Sequence, residues 1–371
     1  MNSSWRLPHG PIFFVVAGFI AAAAALSHSV QAAEPIPFGT NADPIVFCHA
    51  VRDTLGHEDF DTLEATIRRA RTLEGRFPGG RTELEGVYET LMWGSCPGFM
   101  MSAQDDVTLD RAKKLERWLA RNSDPTAAAI ALAGLWEGYA WIARGSGTAD
   151  QVTEAQWRIF NERARTAVGY MKSIDPAVDA EAYSVLLDLA RDFNLPRPQL
   201  DAIFNSARKA FPSYFGYYRE YVSLIEPNWF GQPGDIQRFV HSLQQEPGGD
   251  VGASAYSRVA ERLAYEMRGE NVFVETGLDW AEIQRTFAVR EKLYGLSNQA
   301  WNALCYFAVL TGDRAAAQRA FRNAAPHFTE WPGWPGGETR VFYQQVLPWI
   351  MDRGELPEET HRHQRRTGVN P

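Results

Sequence analysis

The chain has 371 residues, 45% hydrophobic and 22% charged, with 37 basic against 45 acidic side chains and a formal charge of −8. This composition excludes a disordered polar chain and a collagen-like one, and the acidic balance argues against a nucleic-acid partner, which requires a basic patch. Three cysteines exclude a disulfide-dense mini-scaffold.

Arg6 is the one charged side chain before Glu34, and Ile12–Leu26 runs for fifteen residues without a polar side chain. That run is short of the ~20 apolar residues of a membrane-spanning helix. It suits the core of a signal peptide, roughly 7–15 residues long. Val30 and Ala32 supply the small residues that a signal peptidase admits before a cut at Ala32–Ala33. Residues 1–32 are therefore expected to be a cleaved signal peptide, and the protein to be periplasmic or secreted; an uncleaved N-terminal anchor is the alternative. No later apolar run approaches the length of a span. Cys48 follows Ile45-Val46-Phe47, without the small residues that precede a lipidated cysteine. In an oxidising compartment, where disulfides persist, Cys48 and Cys96 are the candidate disulfide. Cys305 lies in an apolar helical run and reads as a buried small hydrophobe.

Residues 33–59 read as an N-terminal extended segment, residues 60–352 as an all-α repeat domain, and 353–371 as a polar flexible tail. Through the middle region apolar residues recur at three- and four-residue spacing. In chain order the first stripes are Phe60, Leu63, Ile67 and Ala70; Leu84, Val87, Tyr88 and Leu91; and Leu109, Ala112, Leu115, Trp118 and Leu119. The run from Ile130 to Ile142 is apolar around most of its surface and is predicted to be central. Further stripes begin at Phe160, Tyr183, Leu200, Ile236, Tyr256 and Trp280. Pro78-Gly79-Gly80, Asp124-Pro125, Asp175-Pro176, Pro196–Pro198 and Pro247-Gly248-Gly249 separate them. Asp59, Asp235 and Asp279 stand where helix N-caps are expected.

The stripes come in pairs, so a repeat was sought. Residues 301–329 fit a tetratricopeptide-like helical hairpin. Trp301 and Leu304 occupy the first helix, Gly312 opens the turn, and Ala317, Phe321 and Ala324 occupy the second. Small residues there let the two helices approach closely. Two degenerate traces end near Pro212 and Pro176. The expected fold is an all-α, helical-hairpin (tetratricopeptide-like) repeat solenoid following the signal peptide, in which stacked pairs bury a continuous core.

Three stretches between about residues 200 and 334 carry a family resemblance: Glu226-Pro227-Asn228-Trp229-Phe230-Gly231-Gln232, Gly277-Leu278-Asp279-Trp280, and the Trp301–Phe321 hairpin with Thr311-Gly312-Asp313-Arg314. They resemble a bacterial domain-of-unknown-function family with tetratricopeptide-like repeats. Pro227, Trp229 and Gly231 fit its Pro-x-Trp-Gly-Gly-Ser turn, whereas Phe230 and Gln232 depart from it. The resemblance implies a helical-repeat fold and no activity.

No His-Glu-x-x-His, Cys-x-x-Cys, phosphate loop or nucleophile elbow is present, so neither a metal nor a cofactor is expected. Cys48-His49 with His57-Glu58-Asp59 is the densest ligand-type cluster, but its spacing is loose for a tetrahedral site. It reads as the start of a capped helix, and His361-x-His363 as part of the tail. Gly145-Ser146-Gly147 reads as an inter-helix loop. Asp105-Asp106 and Glu358-Glu359 read as solvated carboxylates. Most aromatics read as helix packing, including Trp136, Trp141 and Trp157 and the run Phe211 to Tyr221. Trp331 and Trp334 in a Pro/Gly loop, together with Trp229, are the candidate binding residues; no catalytic residue stands out.

The expected function is a non-enzymatic exported scaffold for a protein or peptide partner; the alternative is a glycan-binding or glycan-processing α/α toroid. An open superhelix would suit the first. A closed ring with Trp and paired carboxylates facing one cleft would suit the second. Mass spectrometry of exported material should give Ala33 as the first residue; retention of residues 1–32 would overturn the signal-peptide assignment.

Overall fold

The computed structural model describes residues 33–94, 96, 105–245, 249–267, 272–324, 344 and 346–354. The proposed signal peptide, the Trp331 and Trp334 loop and the tail from residue 355 lie outside them. Among the described residues the fold is all-α, with one isolated antiparallel bridge, Arg76–Thr82, and no strand. No helix there is long and apolar enough to cross a membrane.

The chain begins its helical part earlier than expected. Residues 33–59 do not form an extended segment, because α1 spans Pro44–Gly56. The Asp43 carboxylate accepts from the Ile45 and Val46 N–H groups, Pro44 fits the first turn, and Phe47, Cys48, Val51 and Leu55 make the buried face. Next come α2 (Phe60–Ala70), capped by Asp59, and α3 (Glu83–Trp93), where Thr82 and Glu85 form a reciprocal capping box. Asp105 and Asp106 are not in a loop: they open α4 (Asp105–Arg121), where their charge complements the helix dipole. Asp105 also accepts a 2.6 Å hydrogen bond from the Tyr139 hydroxyl. The long apolar run is α5 (Pro125–Arg144), buried on most sides as its composition requires.

Then follow α6 (Glu154–Met171), α7 (Glu181–Asp192), α8 (Arg197–Ala210), α9 (Gly216–Leu224) and α10 (Asp235–Gln244). Asp235 is not the cap of α10. It is the first helical residue, after Gly234 in the left-handed region, and it pairs with Arg197 and Arg238. The remaining helices are α11 (Gly249–Glu266), α12 (Val272–Thr276), α13 (Trp280–Tyr294, capped by Asp279), α14 (Asn298–Thr311), α15 (Arg314–Ala324) and the short α16 (Leu347–Ile350).

The packing has two tiers. α1, α3, α5, α7, α9, α11 and α13 touch one another in succession, and α4, α6, α8 and α10 each lean on a member of that row. The loop between α2 and α3 reaches the far end of the row. The Gly79 N–H donates to the Gly295 carbonyl (3.0 Å), Arg290 of α13 donates to the Gly79 carbonyl (2.9 Å), and the Arg76 guanidinium lies 5.4 Å from the Tyr294 ring centre. Arg290 is itself buried, and Glu261 balances its charge at 2.9 Å.

α14 and α15 form a close hairpin. Gly312 takes the left-handed turn, and Ala317 approaches so near that the Cys305 thiol lies 3.8 Å from its carbonyl oxygen. Trp301, Leu304, Ala317 and Ala324 are buried, and Phe321 packs partly buried against the core. Cys48 and Cys96 are joined by a disulfide across a sequence separation of 48 residues, tying α1 to the chain after α3. Closing a loop of that size removes unfolded-state entropy equivalent to roughly 4 kcal/mol of stability.

Candidate functional site

Three consecutive members of the inner row carry charge on one face. On α7, Glu181, Ser184, Asp188 and Arg191 follow at three- and four-residue intervals and so lie along one side of the helix. On α5, Glu137 and Trp141 are four apart, and on α9 Arg219 and Glu220 stand in the same region. These side chains, with Met92 and Trp93 at the end of α3, line a cavity of about 230 Å³. Trp93 reaches the cavity because α5 carries Gly138 beneath it: a Cβ there would fall 2.0 Å from the Trp93 ring.

Arg191 is the hub. Its guanidinium donates to Glu137 (2.6 Å) and Asp192 (3.1 Å), forms an ion pair with Asp188 (3.1 Å), and lies 4.5 Å from the centre of the Trp141 ring. The Trp141 indole N–H donates to the same Asp192 oxygen at 3.0 Å. Arg219 pairs with Glu220 at 3.0 Å, and its side chain stays 53% exposed. Its remaining donors are thus available to the cavity. Glu181 accepts from the Tyr214 hydroxyl. Ser184 is buried, and its hydroxyl oxygen has no hydrogen-bond partner.

The carboxyls are driven to different proton affinities. Burial, reinforced by Asp188, pushes Glu137 well above the usual carboxylate range. Burial also pushes Glu181 well up. Burial and the charge of Glu220 push Asp188 up to about 7. Glu220 goes the other way: burial opposes its charge, but Arg219, Arg262 and Arg191 outweigh it and hold Glu220 below its ordinary value. A raised and a lowered carboxyl in one cavity form the pattern of an acid beside an ionised partner.

Of the three binding candidates, Trp229 is at this site and Trp331 and Trp334 lie outside the described residues. Trp229 is 45% exposed and meets Trp141 edge-to-face at 6.1 Å, with Arg191 5.9 Å from its ring centre. Its turn needs Gly231, where a Cβ would fall 1.8 Å from the Ile225 carbonyl oxygen. Trp157 packs against Phe160, which packs in turn against Trp141, so that group backs the cavity wall. The Phe211–Tyr221 aromatics are mostly buried around Phe204, as expected of helix packing. His57 ends α1 and is not part of a ligand set, and among the described residues no group of three or more His, Cys, Asp or Glu is arranged to hold a metal.

The sequence reading missed Glu137, Glu181, Ser184, Asp188, Arg191, Arg219 and Glu220. A signal was present: Glu137 is the one acidic residue in the otherwise apolar α5. In comparisons with known proteins, no family model, no curated protein and no solved structure matches the chain.

Asp188 and Glu226 are both pushed up to about 7, Glu226 by burial and the nearby Glu266. Between about pH 4, where an unfolded carboxyl titrates, and pH 7, the folded protein holds protons that the unfolded chain has released. The resulting stability is fully present below pH 4 and is lost as pH rises through 7. Urea unfolding should show stability falling from pH 5 to pH 8, with a shallower slope in Asp188→Asn. A stability that rises over that interval would contradict these proton affinities.

Proposed function

We propose that this is an exported all-α protein that binds a glycan in the acidic, aromatic cavity and carries the carboxyl pair needed to cleave it. The observation that carries this reading is the meeting of Asp188, Glu220, Trp141 and Trp93 around one opening. Indole faces offer a flat apolar platform to a sugar ring, while carboxylates and guanidiniums satisfy its hydroxyls. Glycosidic cleavage uses two carboxyls, one protonated to assist the leaving oxygen and one ionised. Asp188, titrating near neutrality, fits the first role, and Glu220, held ionised by arginines, fits the second.

The return of the α2–α3 loop to Gly295 and Tyr294 favours helix pairs that close on themselves, an α/α toroid, over an open solenoid. Tetratricopeptide-like pairing, as in α14–α15, and the family resemblance in residues 200–334 belong to the same proposal. The Cys48–Cys96 disulfide supports export, since such bonds persist in oxidising compartments.

The scaffold reading keeps one observation of its own. Val168, Met171, Leu186, Leu189, Phe193 and Ile203 line an apolar groove between α6, α7 and α8. A peptide seated there would not involve the cavity.

Tryptophan fluorescence titration against a panel of oligosaccharides separates the two readings. At least one glycan should bind, and Trp141→Ala should weaken it by at least tenfold. Asp188→Asn and Glu220→Gln should each lower sugar release by at least a hundredfold while leaving binding within a few fold. Absence of binding across neutral, acidic and amino-sugar oligomers would overturn the glycan reading.

A further inference from the structure

The charges in the cavity do not balance. Glu137, Glu181, Asp188 and Glu220 line it against two guanidiniums, Arg191 and Arg219. Behind them Asp192 adds a further buried carboxylate on Arg191, with one oxygen unpartnered. The charges on the neighbouring elements do not restore the balance. Glu85 and Glu89 act on Arg219, while Arg258 is tied to Glu85 at 3.2 Å and Arg262 to Glu266 at 2.5 Å. An excess of ionised carboxylates in a partly buried space is costly, and it is relieved either by protons or by a bound cation.

A second, independent feature points to a ligand. Ser184 lies between Glu181 and Asp188 on the same face of α7 and lines the cavity. It is only 6% exposed, and its hydroxyl oxygen has no hydrogen-bond partner. A buried polar group left unmatched in the free protein is a group that a ligand can satisfy. Trp141 and Trp93 border the same space, and indole rings attract cations as well as sugar rings.

Building on the glycan reading above, we propose that the ligand is an amino sugar with free, protonated amines: the ammonium group is received by Glu137 and Glu181 in place of the protons they hold, and a ligand hydroxyl or amine meets Ser184. Neutral sugars would leave those carboxyls holding their protons. Acidic sugars would add negative charge, with Arg219 alone to receive it. Binding an ammonium would also release protons held by the carboxyls, so affinity should rise with pH up to the point at which the amine itself loses its charge.

The test is calorimetric titration of the purified protein with four hexamers and one plain amine. The hexamers are glucosamine, N-acetylglucosamine, glucose and galacturonate; the amine is spermidine. The glucosamine hexamer should bind at least tenfold more tightly than the other three hexamers and than spermidine. Glu181→Gln should erase the preference for the free amine, and Ser184→Ala should weaken the glucosamine hexamer severalfold. A preference for a neutral or acidic hexamer would overturn the amino-sugar assignment and leave the glycan reading standing. Spermidine binding as tightly as the glucosamine hexamer would overturn it by removing the sugar from recognition. Failure of every hexamer would overturn both. The wild-type panel decides between these outcomes even if a variant fails to fold.

Discussion

The organisation of the inner face depends on one guanidinium. Arg191 is flanked by Glu137, Asp188 and Asp192 and covered by the Trp141 ring. Bringing three carboxylates so close would force them all to take up protons, or the helices to separate, without a fixed positive charge between them. Arginine is suited to the task because its planar fork donates in several directions at once and its face packs on an indole. Through these contacts the charge on α7 also sets the position of α5, since Glu137 and Trp141 are both anchored to it. The cavity follows from that anchoring. Its floor is the Arg191 network, and the open side is left to Asp188, Glu220, Arg219 and the unmatched Ser184.

The surrounding architecture makes such a charged interior tolerable. Apolar packing is concentrated on the flanks of each helix, as in Tyr183, Leu187 and Ala190 of α7, while the residues one step round the helix carry the charges. Close helix contact at Gly138 brings Trp93 in from α3. The α2–α3 loop, held by Arg290 and Arg76 against α13, ties the first of these helices to the last. A site built from side chains on rigid, mutually packed helices is held more firmly than one carried on loops.

How much of this was legible in the sequence can be judged residue by residue. The stripes from Phe60 to Phe287 appear as buried helix faces, except that Leu109 in the first turns of α4 is exposed, because three- and four-residue spacing is a local property of the chain. The caps at Asp59 and Asp279 could be read for the same reason. α1 was missed because its apolar face is short and begins at a proline, which reads as a breaker until Asp43 is seen to cap it. The cavity was harder. Glu137 is an isolated acid within an apolar helix, and Glu181, Ser184, Asp188 and Arg191 form a polar stripe that a search for apolar stripes passes over. That these stripes meet depends on packing between helices more than forty residues apart, which spacing along the chain does not encode. Trp229 was chosen for its Pro/Gly turn, and its contact with Trp141 comes from the same long-range packing.

The most direct test of this account is the stability of Arg191→Met at two pH values. Methionine keeps much of the volume and removes the charge. If Arg191 is what permits Asp188 to ionise beside Glu137 and Asp192, the variant should lose roughly 3–5 kcal/mol at pH 7.5, as expected when one partner of a buried ion pair is removed. Less than half of that loss should remain at pH 5, where Asp188 holds its proton and needs no partner. An equal loss at both pH values, or no loss at either, would contradict the central role assigned to Arg191.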